Sequence, residues 1–164
     1  MNAYDISGLK VLVLEKHLLV RQLLTDVFKE FGVPTVHSTA NPDTAWEIFK
    51  NLPVDIILSD WSHGLDGMAF LRQVRTDDES VNPYVPVIVV SANTELSHVC
   101  QARDCGTTEF LAKPITARHL YMRILSVIES NRAFIRVDSF FGPDRRRRRT
   151  ESLVNVERRR SLVA

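Results

Sequence analysis

Cysteine is scarce in this 164-residue chain, which contains only Cys100 and Cys105. Two thiols so placed are neither a disulfide framework nor a standard zinc-binding spacing. They read as ordinary thiols on or near a helix in a reducing compartment. Long apolar runs are missing too. No stretch approaches the ~18 consecutive apolar residues of a membrane span. Met1 to Gly8 carries no basic region followed by an apolar core, so a secretory leader is not expected. Net charge is nearly absent at +1, and the average therefore selects no partner. The expectation is a cytoplasmic protein with no membrane contact.

What is present is a core-forming composition, 45% hydrophobic, over a length that suits one domain and an extension. Charge is unevenly spread. From Asp138 to Ala164 eight arginines stand against four acids, which leaves a mildly acidic body. A domain over residues 1–130 and a basic, flexible tail over 131–164 are expected.

Apolar runs alternate with helical patterns along the body. Lys10 to Leu14 reads as a strand buried on both faces. Leu19, Leu23, Leu24, Val27, Phe28 and Phe31 then recur at helical spacing, with Gly32 at the stop. Val33 to His37 is a weaker strand. Asn41-Pro42 is a capping residue followed by a first-turn proline, and Trp46, Ile48 and Phe49 line that helix. Val54 to Ser59 forms the third strand and runs into Asp60, after which Asp66-Gly67 opens a helix. Val85 to Val90 is the fourth strand. Thr94 is placed as the cap of a helix ending at Gly106. Glu109 to Leu111 is a short fifth strand. Thr116 starts a last helix whose inner stripe is Leu120, Ile124, Leu125 and Ile128.

Five strands and five helices in strict alternation predict an α/β fold. Its form is a doubly wound, five-stranded parallel sheet with helices on both faces, flavodoxin-like in kind. Such sheets bind ligands outside the carboxyl ends of their strands. The residues there are Glu15 and Lys16, Asp60, Ser91, and Lys113 with Pro114. A carboxylate, a lysine, a small hydroxyl and a second acid suit phosphoryl transfer to Asp60. Lys113 would neutralise phosphate oxygens as a point charge, and Ser91 would donate a hydrogen bond. Acids beside the nucleophile would hold Mg²⁺.

The ordered blocks Leu58-Ser59-Asp60-Trp61, Val89-Val90-Ser91-Ala92 and Phe110-Leu111-Ala112-Lys113-Pro114 resemble the receiver domain of two-component response regulators. The match covers about residues 9–130, and the chain's shape resembles the single-domain regulators of the chemotaxis type. The resemblance implies that Asp60 accepts a phosphoryl group from a histidine kinase or phosphotransfer protein. It also implies that Ser91 is the switch hydroxyl and Lys113 the phosphate-binding lysine, followed by a cis-proline bond. Phe110 becomes the aromatic switch residue. Metal ligation falls on Glu15, Asp60 and the Ser62 carbonyl. A downstream protein target follows, and the role is signalling rather than enzymatic. The ending from Phe140 to Arg146 looks like tails on some stand-alone receivers of proteobacteria.

Two departures bear on the metal. The family has paired acids after the first strand, whereas this chain has Glu15 and Lys16. Two unit positive charges 4 Å apart repel by ~4 kcal/mol at an effective dielectric near 20. A divalent ion would suffer more, so Lys16 opposes Mg²⁺ or takes its electrostatic place. The loop usually reads D-x-x-M-P-x-x-D-G, and from Asp60 to Gly67 it is one residue shorter. A pseudo-receiver, a binding module without Mg²⁺-dependent phosphorylation, is therefore the competing reading.

Trp61 is read as an exposed aromatic, His63 as a solvated loop residue, and His98 has no role. Arg145 to Arg149 could meet phosphates, but no recognition helix accompanies the run, so nucleic acid is not expected. Docking on an acidic partner and a homodimer through the fourth and fifth helices stay open. A dehalogenase-like phosphatase would need an acid where Ser62 stands. A flavin binder would need a glycine-rich loop where Glu15 to Leu18 stands.

Overall fold

The computed structural model describes residues 4–130 and 132–144. Five strands, β1 (Lys10–Leu14), β2 (Thr35–Thr39), β3 (Ile56–Asp60), β4 (Val87–Ser91) and β5 (Glu109–Ala112), form one parallel sheet in the order β2-β1-β3-β4-β5. β3 and β4 are buried along their whole length, as their unbroken apolar runs require. Because side chains alternate across a strand, each face of the sheet gets its own core. Leu12, Leu14, Ile57, Val87 and Val89 pack with α2 (Pro42–Asn51), α3 (Gly67–Thr76) and α4 (Leu96–Asp104). Val11, Val13, Ile56, Leu58, Ile88 and Val90 pack with α1 (Leu18–Glu30) and α5 (Ala117–Glu129). This is the doubly wound α/β sheet expected from the sequence.

Local chemistry sets most helix starts. Asn41, Asp66 and Thr116 each accept hydrogen bonds from backbone N–H groups of the first turn that follows. Thr94 does not. The residue before α4 is Glu95, without a side-chain cap, and the Asn93 side chain accepts from the Glu95 N–H instead. On α1, Leu24 and Phe28 are buried but Leu19 and Leu23 are largely exposed, so that apolar stripe is narrower than its leucine content suggested. Ile128 on α5 is also exposed. β2 begins two residues later than its apolar run, with Val33 buried ahead of it.

The extension departs most from expectation. Residues assigned to a flexible tail form an antiparallel hairpin, β6 (Phe134–Val137) with β7 (Phe140–Pro143). Tyr84, Phe134 and Phe141 meet edge-on or tilted at 5.2–5.6 Å. Gly142 lies against Gly106, where a Cβ would come within 2.6 Å of the Gly106 Cα. Arg75, buried at the end of α3, donates to the carbonyls of Gly106, Pro83 and Val85 and faces the Phe134 ring at 5.2 Å. Burial pulls its pKa down to about 9, still above neutrality, so it is held as a cation. The hairpin thus closes over the strand-entry end of β4 and β5, away from the strand ends that carry Asp60 and Ser91. Arg145 to Arg149 and the rest of the tail lie outside the described residues. No helix among the described residues is long and apolar enough to cross a membrane.

Candidate phosphoacceptor site

β1, β3, β4 and β5 end side by side and bring their last polar residues to one edge. Glu15 and Asp60 are each 1% exposed. Two buried carboxylates at one edge demand a counter-charge, and Lys113 supplies it. Its Nζ lies 2.8 Å from Glu15 Oε2 and 2.8 Å from Asp60 Oδ1. Burial alone would lower the Lys113 pKa, but hydrogen bonds and charge from Asp60 and Glu15 together outweigh it, and the net shift is upward. Lys113 precedes a cis bond to Pro114.

The remaining carboxylate oxygens are also engaged. Glu15 Oε1 accepts from the His17 N–H at 2.8 Å, and Asp60 Oδ2 accepts from the Ser62 hydroxyl at 2.6 Å. Arg21 ties the loop after β1 down by donating to the carbonyls of Glu15 and Lys16. Gly67 explains the short loop's return. A Cβ there would strike the Asp60 carbonyl and come within 2.7 Å of Ser59 Oγ.

Receiver domains generally use Mg²⁺ at this position, and the donor set can be tested against that need. Mg²⁺ asks for near-octahedral oxygen coordination. Here the two carboxylates share one ammonium. The Ser62 carbonyl, expected as a ligand, accepts from the Leu65 N–H at 3.1 Å in a tight turn. The position of the second acid is Lys16, exposed, whose Nζ donates to the His63 carbonyl at 3.1 Å on that same loop. No group of three His, Cys, Asp or Glu suited to a metal occurs among the described residues. The residues present do not fit Mg²⁺. Lys113 is the cation paired with both Glu15 and Asp60, while Lys16 is held on the neighbouring loop.

Ser91 ends β4 with its hydroxyl donating to the Trp61 carbonyl at 2.9 Å and accepting from the Asn93 N–H at 3.1 Å. Sequence reasoning gave no role to a third partner, His98, whose Nε2 lies 3.1 Å from the same oxygen. Its ring stacks on Trp61 with centroids 3.4 Å apart and meets Phe110 edge-on at 6.4 Å. Trp61 is therefore half-buried against His98 rather than an exposed aromatic. His63 is exposed, as a loop histidine should be. Phe110 is half-buried against the core. No spacing pattern marks His98, because its importance arises from the return of α4 over the end of β4.

The fold and this strand-end cluster are those of an open α/β domain with a buried acid–lysine site at its strand ends. The model of the response regulator receiver domain matches residues 11–125, and the chain belongs to that family. It is therefore a two-component response regulator with a chemotaxis-type receiver domain. It is 22% identical to the chemotaxis protein CheY-3 of Vibrio cholerae over 79% of this chain and 98% of that protein. It is 27% identical to a probable chemotaxis protein CheY of Rhizobium etli, over 73% and 92%. Among solved structures, CheY4 of Vibrio cholerae superposes with a TM-score of 0.65 at 22% identity, covering 73% of this chain and 98% of that one. The receiver domain of the Francisella response regulator 1452 gives 0.65 at 24%, covering 73% and 96%. The family match ends at residue 125, within α5, and leaves the hairpin outside it.

Proposed function

We propose that this chain is a cytoplasmic phospho-switch in which Asp60 accepts a phosphoryl group from a histidine kinase or phosphotransfer protein. The observation that carries the reading is Lys113 bridging buried Asp60 and Glu15 at the strand ends. A carboxylate oxygen of Asp60 attacks phosphorus and the P–O bond forms. The phosphorus–nitrogen bond of the donor phosphohistidine breaks, and its electron pair returns to the imidazole. Each Asp60 oxygen keeps a lone pair beyond its hydrogen bond to Lys113 or Ser62. Positive charge for the incoming phosphoryl oxygens comes from Lys113, with Lys16 swinging from the His63 carbonyl to take the part usually left to a metal. Ser91 then donates to the phosphoryl group and Phe110 moves with it. The surface of α4, β5 and α5 changes its affinity for a downstream protein, a two-state equilibrium biased by one covalent group.

Intact-mass measurement after incubation with acetyl phosphate tests the reading. One added phosphoryl group is expected, lost in Asp60→Asn. Lys16 and the turned Ser62 carbonyl favour a second reading, a pseudo-receiver that binds its partner without phosphate. Absence of any adduct, from acetyl phosphate and from a phosphorylated donor alike, would favour it.

A further inference from the structure

The Ser91 hydroxyl is saturated. Its oxygen has a hydrogen-bond partner in the Trp61 carbonyl, the Asn93 N–H and His98 Nε2, at 2.9, 3.1 and 3.1 Å. A serine hydroxyl has one proton and two acceptor lone pairs. The Trp61 carbonyl can only accept, so it takes the proton. The Asn93 N–H can only donate, so it takes one lone pair. The third contact is satisfied when His98 Nε2 carries hydrogen and donates to the other lone pair. The same imidazole lies flat on the Trp61 indole, 13° from parallel, and meets the Phe110 ring at 86°. One side chain in the first turn of α4 thus touches the switch hydroxyl, the neighbour of the phosphoacceptor and the switch aromatic.

We propose that His98 is the positioning residue of this switch, holding Ser91, Trp61 and Phe110 in the unphosphorylated arrangement and tying α4 to them. In that arrangement the one Ser91 proton is committed to the Trp61 carbonyl and is withheld from Asp60. Donation to a phosphoryl group requires the hydroxyl to turn, which breaks its geometry with His98 and loosens α4. The inference rests on the reading of Asp60 as phosphoacceptor. It extends that reading by naming the contact that must be broken.

Two variants of the full chain test it. His98→Phe keeps a ring to stack on Trp61 but cannot donate to Ser91. His98→Gln keeps a nitrogen donor at similar reach. Labelling by acetyl phosphate is followed by intact mass, and backbone amide exchange of α4 is followed in unlabelled protein. His98→Phe is expected to label about 2- to 10-fold faster, the worth of one hydrogen bond, with faster exchange confined to α4. His98→Gln is expected to label at the wild-type rate. Ser91→Ala combined with His98→Phe should exchange no faster in α4 than His98→Phe alone, because both changes break one contact. Wild-type labelling rate and wild-type α4 exchange in His98→Phe would overturn the inference while leaving Asp60 as acceptor. If the wild type takes label neither from acetyl phosphate nor from a phosphorylated donor, the Asp60 reading fails and α4 exchange decides alone. Faster exchange confined to α4 would then still support His98 as its anchor, and unchanged exchange would overturn it.

Discussion

The Lys113 ammonium lies 2.8 Å from a carboxylate oxygen of Asp60 although the two are 53 residues apart in sequence. That contact closes the sheet edge, because the same nitrogen also holds Glu15. Lys113→Met removes the shared cation and leaves two buried carboxylates together. Breaking a buried pair from one side costs about 3 kcal/mol, and urea denaturation should show a loss of that order. The Lys113 pKa is raised above its usual 10.5. Its contribution is therefore fully present below pH 10.5 and is lost as pH rises through the higher folded value. Asp60→Asn combined with Glu15→Gln removes the reason for the lysine, and in that background Lys113→Met should cost much less.

Gly67 is fixed by the Asp60 carbonyl rather than by helix propensity. Gly67→Ala would favour a helix in isolation, yet here its methyl must displace the phosphoacceptor's own backbone. The expected result is a destabilisation of about 1–3 kcal/mol, together with slower labelling of Asp60. A neutral or stabilising effect in thermal unfolding would contradict the close approach.

The hairpin should come away without the sheet. A Cβ at Gly142 would come within 2.6 Å of the Gly106 Cα and 2.9 Å of the Phe140 ring. Gly142→Val is expected to release β6 and β7 and expose Arg132 and Arg136 to trypsin. The five-stranded domain should stay folded by circular dichroism. Unfolding of the whole domain would show that the hairpin is part of its cooperative core.

Burial holds the His98 imidazole below its usual pKa of 6.5, partly offset by the nearby Glu95 carboxylate. The unfolded chain then binds more protons than the folded one as pH falls through 6.5 toward the lower folded value. Stability contributed by neutral His98 is present above pH 6.5 and is lost across that window. Denaturation midpoints of wild type and His98→Phe, compared from pH 7.5 to 5, should show the steeper acid loss in the wild type. Parallel pH profiles would contradict a desolvated His98.

Glu15, Asp60, Ser91 and Lys113 were legible in the sequence because each follows a run of buried strand residues, and a parallel sheet puts its strand ends on one edge. Asn41, Asp66 and Thr116 were legible because capping is local chemistry. The Thr94 cap failed because α4 starts one residue later, after Glu95, whose N–H is held by the Asn93 side chain. Leu19 and Leu23 misled because periodicity marks a stripe without saying how much of it a neighbour covers. The hairpin was invisible because Phe134, Phe141 and Gly142 gain order from Tyr84, Arg75 and Gly106, partners far off in sequence. His98 was missed for the same reason. The Ser62 carbonyl turned out to serve the turn with Leu65, a consequence of the shortened loop that residue types alone do not encode.

In the proposed switch, Asp60 is a phosphoacceptor whose local cation is lysine instead of a metal. The most direct measurement is acetyl phosphate labelling of wild type and Lys16→Asp, each in excess EDTA and in excess Mg²⁺, read by intact mass. The wild type is expected to gain one phosphoryl group at similar rates in both conditions. Lys16→Asp, with the family's second acid restored, is expected to label only with Mg²⁺. Wild-type labelling that vanishes in EDTA would contradict the claim.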